Sequence, residues 1–493
     1  MTITEKIETL PEHHEKRELD SLSLNQESLF SSPQIPFIKS DAEKKFVKKL
    51  NWTLLPMIWV IVFIQFADKS ALSVAAVLGI LEDTKTDNDQ YGFLGSIFYI
   101  GFIIFQIPNS YLIQRLPTSK YLGSLIICWG ISTIGTAFCQ TYAHLLACRF
   151  LLGIFEAATQ PCLILLLNSL YRRSEQSACL GFFCMSNGLG TLFAVVVTFG
   201  IVKTLNGAHG IEAWRWIYLI FGILTVCVGI VTFIFLVDSP YSKWLRLTEE
   251  EKKIIEERTQ DNAVVKEKQV KLHHYWEALR EPRYYLTLIG AFGSSLPNSG
   301  LITFSTPFVA TLGFNSLSAI LLQLPSAAIS VFFIFLSVYI HRKTERLSIP
   351  IVITGAISMI SFLLLIVLPH TAIKLLGYYL SWAFASTYAI LITMVANNVS
   401  GYSKKVFYNS SMMIAVTLGN FTGPLVMLHH EAPVYQSGMI IFLAGLLATV
   451  LSSLISFYLM YRVNKKRLAN GITKTDAHLD LTDREDPNFI YKL

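Results

Sequence analysis

The sequence predicts an all-α integral membrane protein with 12 transmembrane helices in two six-helix halves. The composition is the first observation: of 493 residues 53% are hydrophobic and 15% are charged, whereas soluble proteins carry about a quarter charged residues. Apolar segments of about 20 residues, long enough to cross a bilayer, recur along the chain. One long charged connection divides these segments into two sets of six, which gives two halves.

Residues 1–50 come first and are polar, with few aromatic residues and with prolines at Pro11, Pro33 and Pro36. They contain no short apolar region followed by a small-residue cleavage site, so no signal peptide is expected. The composition predicts a disordered N-terminal tail in the cytosol.

The N-terminal half is expected over residues 51–237, with spans at roughly 54–78, 91–112, 120–139, 143–168, 176–202 and 214–237. The C-terminal half is expected over residues 284–462, with spans at roughly 285–310, 318–340, 349–368, 372–397, 406–428 and 438–461. Each segment can cross about 30 Å of hydrocarbon at about 1.5 Å per residue. Residues 463–493 then form a C-terminal tail in the cytosol.

The connection 238–283 is the charged linker between the halves, with ten basic and ten acidic residues. Within it, Thr248 and Glu251 have the spacing of a capping box. They predict a short surface helix that runs to about Arg258, and a solvated linker helix is favoured over a partner-binding role.

Charge in the loops predicts the orientation, because short cytoplasmic loops are rich in Lys and Arg. If the N-terminus lies inside, seventeen basic residues fall on inner connections and only four on outer ones: Lys85, Lys203, Arg215 and Lys374. Both termini are therefore expected in the cytoplasm. The net charge of +6 follows from these loops and tails, so nucleic acid is excluded as a main partner.

Two charged residues interrupt the first span. Asp68 and Lys69 lie about halfway along an otherwise apolar run, where either ion alone would cost several kcal/mol. Adjacent residues point about 100° apart on a helix, so the two cannot pair with each other and serve one face. A buried ion pair that holds helices together and a functional cavity are both open interpretations.

The fourth span adds a second acid and a second base. Arg149 and Glu156 are seven residues apart, which places them on one helical face two turns apart. A carboxylate near the midplane can bind and release a proton as its surroundings change. Arg149 could bind a carboxylate through two parallel hydrogen bonds, and Lys69 supplies a compact positive charge. This half could therefore bind both a proton and an anionic substrate.

The second half has almost no charge inside its spans, which leaves polar and aromatic residues to complete a cavity. For each candidate alone, a hydrogen bond between helices is the simpler role. The candidates are Asn298 in the seventh span, Gln323 in the eighth, Tyr388 and Asn397 in the tenth, and Asn420 in the eleventh.

No pattern in the chain indicates an enzyme or a metal site. There is no HExxH, GxSxG, Walker A or dinucleotide-binding fingerprint. The seven cysteines lie in or beside apolar stretches without a CxxC pair, so neither a disulfide framework nor a zinc site is expected. We expect no cofactor and no metal, with the proton as the coupling ion.

Several stretches are similar to a known family: "FADKSALSVAAVLGI", "YGFLGSIFYIGFIIFQIPNSYLIQRLP", "RFLLGIFEAATQP", "AWRWIYLIFG", "DSPYSKWLRLTEEEK", "GNFTGP" and "LDLTDREDPNFIY". On these residues the chain resembles the major facilitator superfamily, and within it the fungal allantoate permease-like branch of the anion:cation symporters. The resemblance covers the chain from about Asn51 to Leu493 and implies a fold of 3+3 inverted repeats in each half.

The resemblance also implies roles for the charged residues. Asp68 and Glu156 match the acids implicated in proton coupling, and Lys69 and Arg149 match the bases implicated in substrate binding. The bacterial pattern has Arg at the position of Lys69. Arg115 matches the base of a gating latch, but Gln114 stands in place of the usual acid, which implies an altered latch.

The function predicted by residues and resemblance together is proton-coupled import of a small organic anion by alternating access. The substrates implied are allantoate, ureidosuccinate, a dipeptide, or a vitamin acid such as nicotinate, pantothenate or biotin. The alternative is a nutrient sensor of the same fold that does not transport, although tails of about 50 and 30 residues argue against it. We expect a monomer, and the plasma membrane is favoured over an internal one.

Overall fold

The computed structural model describes residues 41–171, 173–239, 241–245, 247–262, 271–469 and 481–493. The predicted N-terminal tail lies outside these residues up to position 40, and the first helix already begins at Asp41. The described part forms twelve helical spans: α1 (Asp41–Ala76), α2 (Asn88–Arg115), α3 (Thr118–Ala137), α4 (Tyr142–Glu156 and Thr159–Leu170), α5 (Arg173–Leu205), α6 (Ala213–Phe235), α7 (Pro282–Thr311), α8 (Ser316–Leu321 and Leu324–Thr344), α9 (Ser348–Val367), α10 (Lys374–Ser381 and Phe384–Asn398), α11 (Tyr402–Leu425) and α12 (Gln436–Ala469).

The predicted all-helical fold with twelve spans is confirmed. Within the described residues, eight helices are long and apolar enough on composition to cross a membrane, namely α1, α2, α4, α6, α8, α9, α10 and α12. Short helices Ile80–Asp83, Glu249–Asn262 and Leu272–Leu279, and 3₁₀ turns Ala208–Gly210, Lys243–Leu245 and His429–Glu431, connect the spans.

The two halves pack their helices in the same order. In the first half α3 packs on α6, α2 on α4 and α1 on α5, and in the second α9 packs on α12, α8 on α10 and α7 on α11. Between the halves α2 contacts α11 and α5 contacts α8, which are equivalent pairs. This correspondence is the pseudo-twofold symmetry of a fold built from repeated halves.

Three spans are each interrupted for two residues. The interruptions lie at Ala157 and Ala158 in α4, at Leu322 and Gln323 in α8, and at Trp382 and Ala383 in α10. Backbone angles at all six residues stay in the right-handed helical region. The chain therefore continues in the same direction through each break, and the first break comes directly after Glu156.

Between described residues, hydrogen bonds join the two halves at one end of the bundle only. The Ser73 hydroxyl lies 2.7 Å from the Ser305 hydroxyl and accepts the N–H of Thr306 at 2.9 Å. Nearby, Ser96 donates to the carbonyl of Phe421 at 2.6 Å. We call this contact between the halves the seam.

Small residues make the seam close. A side-chain carbon added at Gly95 of α2 would lie 2.8 Å from two atoms of Thr303, closer than van der Waals contact. One added at Gly92 would lie 3.0 Å from the carbonyl oxygen of Pro424. Glycine at both positions therefore lets α2 approach α7 and α11.

The opposite end of the bundle carries the linker and is called the linker end below. The predicted capping box is confirmed: Thr248 N–H donates to Glu251 at 2.9 Å, and Glu251 N–H donates to the Thr248 hydroxyl at 3.3 Å. It opens the helix Glu249–Asn262, four residues longer than expected. Glu251 also binds Lys49 at 3.1 Å, which fixes this helix to α1.

Candidate functional site

Charged residues of α1 and α4 meet inside the first half. The Lys69 ammonium lies 2.7 Å from Glu156 Oε1, and the Gln65 amide donates to the same oxygen at 2.7 Å. The Glu156 side chain is fully buried, and that of Lys69 is 22% exposed. A buried carboxylate needs such partners, because an isolated ion in an apolar interior is very costly.

Asp68 faces a different helix from its neighbour Lys69. Its Oδ2 accepts a hydrogen bond from the Thr225 hydroxyl of α6 at 3.2 Å, and its side chain is buried. Successive residues on a helix point about 100° apart, so Asp68 turns to α6 while Lys69 turns to α4. The two residues therefore act as separate groups in one cluster rather than as an ion pair.

Arg149 is buried and bound to a neutral partner. Its guanidinium donates to the Tyr218 hydroxyl at 2.7 Å, and only 7% of the residue is exposed. No carboxylate of the described residues lies within 4 Å of it. A buried guanidinium has five donors to satisfy, so most of its capacity is open to an anion.

Two carboxylate oxygens of the same cluster also have capacity to spare. Asp68 Oδ1 and Glu156 Oε2 are buried and accept no hydrogen bond from the described part of the chain. An unpartnered buried oxygen costs about 1–3 kcal/mol. Protonation of the carboxyl or contact with a bound molecule would remove that cost.

The cluster lies directly beside the seam. Lys69 and Ser73 are four residues apart on α1, which is one turn or about 6 Å. Ser73 belongs to the seam, and Lys69 lies on the side of it that faces the linker end. The charged cluster thus lies next to the contact that closes the opposite end of the bundle.

In the second half, three of the candidate residues form contacts between helices. Asn298 of α7 donates to Asn420 of α11 at 2.9 Å. Gln323 accepts from the Tyr378 hydroxyl of α10 and donates to the Ser305 carbonyl at 3.2 Å. Gln323 is thereby linked to the seam, and Asn298 and Asn420 form a second polar contact.

The remaining candidates lie apart from the charged cluster. Tyr388 packs against an apolar core in the second half that includes Met394 and Leu347. Asn397 is half-buried at the end of α10. Arg115 is exposed at the end of α2, with its guanidinium 4.7 Å from the centre of the Tyr111 ring.

Sequence reasoning missed the neutral partners in the first half. Gln65 and Tyr218 bind Glu156 and Arg149, and Thr225 binds Asp68. Gln65 lies four residues before Lys69 and could have been found from that spacing. Tyr218 and Thr225 belong to α6, and only the packing of α6 brings them to the cluster.

A second charged cluster, also missed, lies at the linker end. The Lys404 ammonium is fully buried among Glu277, Glu281 and Asp483, at 2.8, 2.5 and 2.7 Å. Arg283 binds Glu281 at 3.0 Å and Asp483 at 2.5 Å. We call these five residues the tail clasp, because Asp483 belongs to the C-terminal segment.

Main-chain contacts attach the rest of that segment to the second half. Asn398 of α10 accepts the N–H of Lys492 at 2.7 Å and donates to its carbonyl at 2.9 Å. Asn464 of α12 makes the equivalent pair with Tyr491, at 3.0 and 2.8 Å. Residues 481–493 thus connect the linker ends of α10 and α12.

The electrostatics of the clasp agree with this attachment. Burial alone would raise the pKa of Asp483, but Arg283 and Lys404 outweigh it and hold the pKa below its ordinary value. Glu277, Glu281 and Asp483 lie as close together as metal ligands do. The Lys404 ammonium already lies among all three carboxylates, so the position that a bound cation would take is filled by a side chain.

The fold and the charged cluster define a transporter of two repeated halves, and comparison with known proteins agrees. Residues 58–424 match the model of the Major Facilitator Superfamily. This chain belongs to that superfamily.

Sequence relatives show to which branch of the superfamily the chain is similar. It is 31% identical to an uncharacterized transporter of Schizosaccharomyces pombe, over 93% of each chain. It is 29% identical to the thiamine pathway transporter of Saccharomyces cerevisiae, over 96% of this chain and 91% of the relative. It is 27% identical to the allantoate permease of the same yeast, over 92% and 88%. The predicted allantoate permease-like branch is confirmed.

Solved structures show the same fold at lower identity. A bacterial homolog of the human lysosomal transporter Spinster, in an inward-facing and unoccupied conformation, matches with a TM-score of 0.64 at 17% identity, over 82% of this chain and 95% of that one. A D-xylose-proton symporter matches with a TM-score of 0.61 at 14% identity, over 83% and 97%.

Proposed function

We propose that this transporter imports a small organic anion together with a proton by alternating access. Arg149 is the observation that carries the proposal. It is a buried cation whose hydrogen bond in the described region goes to a neutral phenol, and a second cation, Lys69, lies in the same half next to Glu156. A carboxylate of the substrate would supply the partner that a buried guanidinium requires, in a bidentate geometry.

Lys69 and Glu156 suggest how proton and substrate are coupled. In the structure the Glu156 carboxylate forms an ion pair with the Lys69 ammonium at 2.7 Å, and a substrate carboxylate would compete for the same ammonium. A proton on Glu156 removes this competition, so proton and anion each favour the binding of the other. Reciprocity of this kind is what symport requires.

The conformation fits one step of such a cycle. With the N-terminus inside, as the loop charges predict, the linker end is cytoplasmic and the seam lies at the outer side. Because the halves are joined at the seam, this orientation would make the conformation an inward-facing one. In that state Lys69 and its neighbours would release substrate and proton to the cytoplasm. We place the protein in the plasma membrane, as a monomer without a cofactor.

The candidate substrates carry a carboxylate. Allantoate, ureidosuccinate, a dipeptide, nicotinate, pantothenate and biotin all satisfy this requirement, and one relative is named for allantoate. Another relative is named for the thiamine pathway, and thiamine is a cation. The charge of the transported molecule is therefore the first property to measure.

The test is uptake of these labelled compounds and of thiamine in cells that lack their own importers. Uptake is measured at pH 5 and 7.5, with and without a protonophore. We expect an anion to be taken up faster at pH 5 and the protonophore to abolish its accumulation. Uptake of thiamine alone would contradict the anion proposal, and saturable binding without flux would favour the sensor.

Glu156→Gln tests the coupling step directly. The amide resembles a protonated carboxyl, so the variant should bind substrate equally at both pH values and exchange it across the membrane, yet fail to accumulate it. Glu250→Gln, in the exposed first turn of the linker helix, is the matched control and should accumulate substrate normally. Normal accumulation by Glu156→Gln would contradict the proposed role.

A further inference from the structure

A cleft of about 430 Å³ opens at the linker end between α7 and α12. One wall is a single face of α12, with residues at helical spacing that include Leu459, Arg462 and Lys466. The opposite wall is the start of α7 with Arg280 before it. The C-terminal segment completes the cleft with Arg484 and Tyr491.

The lining of the cleft is strongly basic. It includes six cationic side chains and one acid, Glu281, which is already paired with Lys404 and Arg283 in the tail clasp. Two of the cations, Arg283 and Arg467, are bound to the clasp and to the C-terminal segment.

The other four basic residues of the cleft form no short ion pair within the described chain. No carboxylate of the described chain lies within 4 Å of Arg280, Arg462 or Lys466. Arg484 approaches Glu281 only at 3.9 Å. Several like charges gathered in one concave place repel one another, and an anion of more than one charge would relieve that repulsion.

Neighbouring residues indicate where the cleft lies relative to the membrane surface. Tyr458 and Tyr461 of α12 and Tyr285 of α7 are exposed beside it, at 59%, 50% and 50%. Exposed tyrosines at the ends of spans mark the headgroup level of a membrane. The cleft therefore lies where phosphate groups of lipids are found, and the proposed orientation makes this the cytoplasmic leaflet.

We propose that this cleft is a binding site for a phosphate ligand of more than one negative charge. Arg280 and Arg462 would bind the phosphate oxygens from opposite walls, and Lys466 would add a third charge. Basic pockets between helices on the cytoplasmic side are suited to phosphorylated lipid headgroups. A soluble polyphosphate offers the same chemistry, so the test must separate these two sources.

The test uses the purified full chain in detergent and a fluorescent short-chain phosphatidylinositol 4-phosphate as the probe. Binding is followed by anisotropy, with competition by inorganic tripolyphosphate and by short-chain phosphatidylcholine. The cleft variant combines Arg280→Gln, Arg462→Gln and Lys466→Gln. A matched control removes three exposed charges from the last turn of α8 and the connection that follows it, with Arg342→Gln, Lys343→Gln and Arg346→Gln.

We expect saturable binding whose Kd rises at least tenfold in the cleft variant and less than twofold in the control. Competition by tripolyphosphate would identify a soluble ligand as sufficient, and failure to compete would assign the site to a lipid. An equal loss in both variants would mean general attraction to basic surface and would overturn the proposal. Absence of saturable binding, or competition by phosphatidylcholine, would also overturn it. None of these outcomes depends on transport or on orientation.

Discussion

Lys404→Met should release the C-terminal segment from the second half. The substitution keeps an unbranched side chain of similar length and removes the ammonium that three carboxylates share. Glu277, Glu281 and Asp483 would then face one another, with Arg283 as the cation that remains in contact with two of them. The described structure relieves this repulsion most easily if residues 481–493 leave.

The magnitude follows from burial. The Lys404 side chain is 0% exposed, as is that of Asp483. Removal of one partner from a buried ion pair costs about 3–5 kcal/mol. At about 1.4 kcal/mol for each factor of ten, the equilibrium between docked and undocked segment should shift by about two to three and a half orders of magnitude.

Hydrogen exchange of the segment measures this shift. The amides of Tyr491 and Lys492 donate to Asn464 and Asn398, so they exchange only when the segment opens. In Lys404→Met the protection of these two amides against exchange should fall by about two to three and a half orders of magnitude. Lys405→Met, at the next residue and outside the clasp, should leave it within a factor of three. Unchanged protection in Lys404→Met would refute the electrostatic account of docking.

Three further predictions concern other parts of the molecule. Arg149→Lys keeps the positive charge but removes the planar guanidinium that can bind a carboxylate through two hydrogen bonds, so KM for uptake should rise about tenfold. An unchanged KM would show that Arg149 does not bind the substrate. Gly95→Leu should prevent closure of the seam, because the added side chain would overlap Thr303. The reporter is Ser305→Cys in a protein without other cysteines, and it should then react faster with a membrane-impermeant thiol reagent added outside. An unchanged reaction rate would contradict the packing argument. Because the pKa of Asp483 is lowered, its contribution to docking is present above its ordinary value of 3.8 and is lost as pH falls below that value. Amide protection corrected for intrinsic exchange should therefore be lower at pH 3 than at pH 5.5, and equal protection at both would contradict the role of Asp483.

The fold could be predicted because its signals are local. Each span is a run of apolar residues, and the charged linker separates the two sets of six. The capping box at Thr248 lies within four residues, and it too is confirmed. Where the first helix begins was harder to predict, since Asp41 to Leu50 is polar and owes its helix to packing of residues such as Phe46 and Leu50.

The site could be predicted only in part. A charge inside an apolar span is visible in any sequence, so Asp68, Lys69, Arg149 and Glu156 could be selected. Their partners depend on how the helices pack. Lys404 shows the limit most clearly, because a lysine in a short connection predicts orientation, and nothing nearby in the sequence indicates that it is buried among three carboxylates.

The distribution of charge bears on the energy of the proposed transport cycle. Within the described chain, the ion pair of Lys69 and Glu156 and the contacts of Arg149 lie inside one half. The seam is joined by neutral groups such as the hydroxyls of Ser73 and Ser305. A neutral hydrogen bond contributes about 0.5–1.5 kcal/mol net, whereas separation of a buried ion pair costs several times more. Rocking of the halves would therefore break only weak contacts and leave the charged cluster intact, so protonation and substrate can set the balance between the two states.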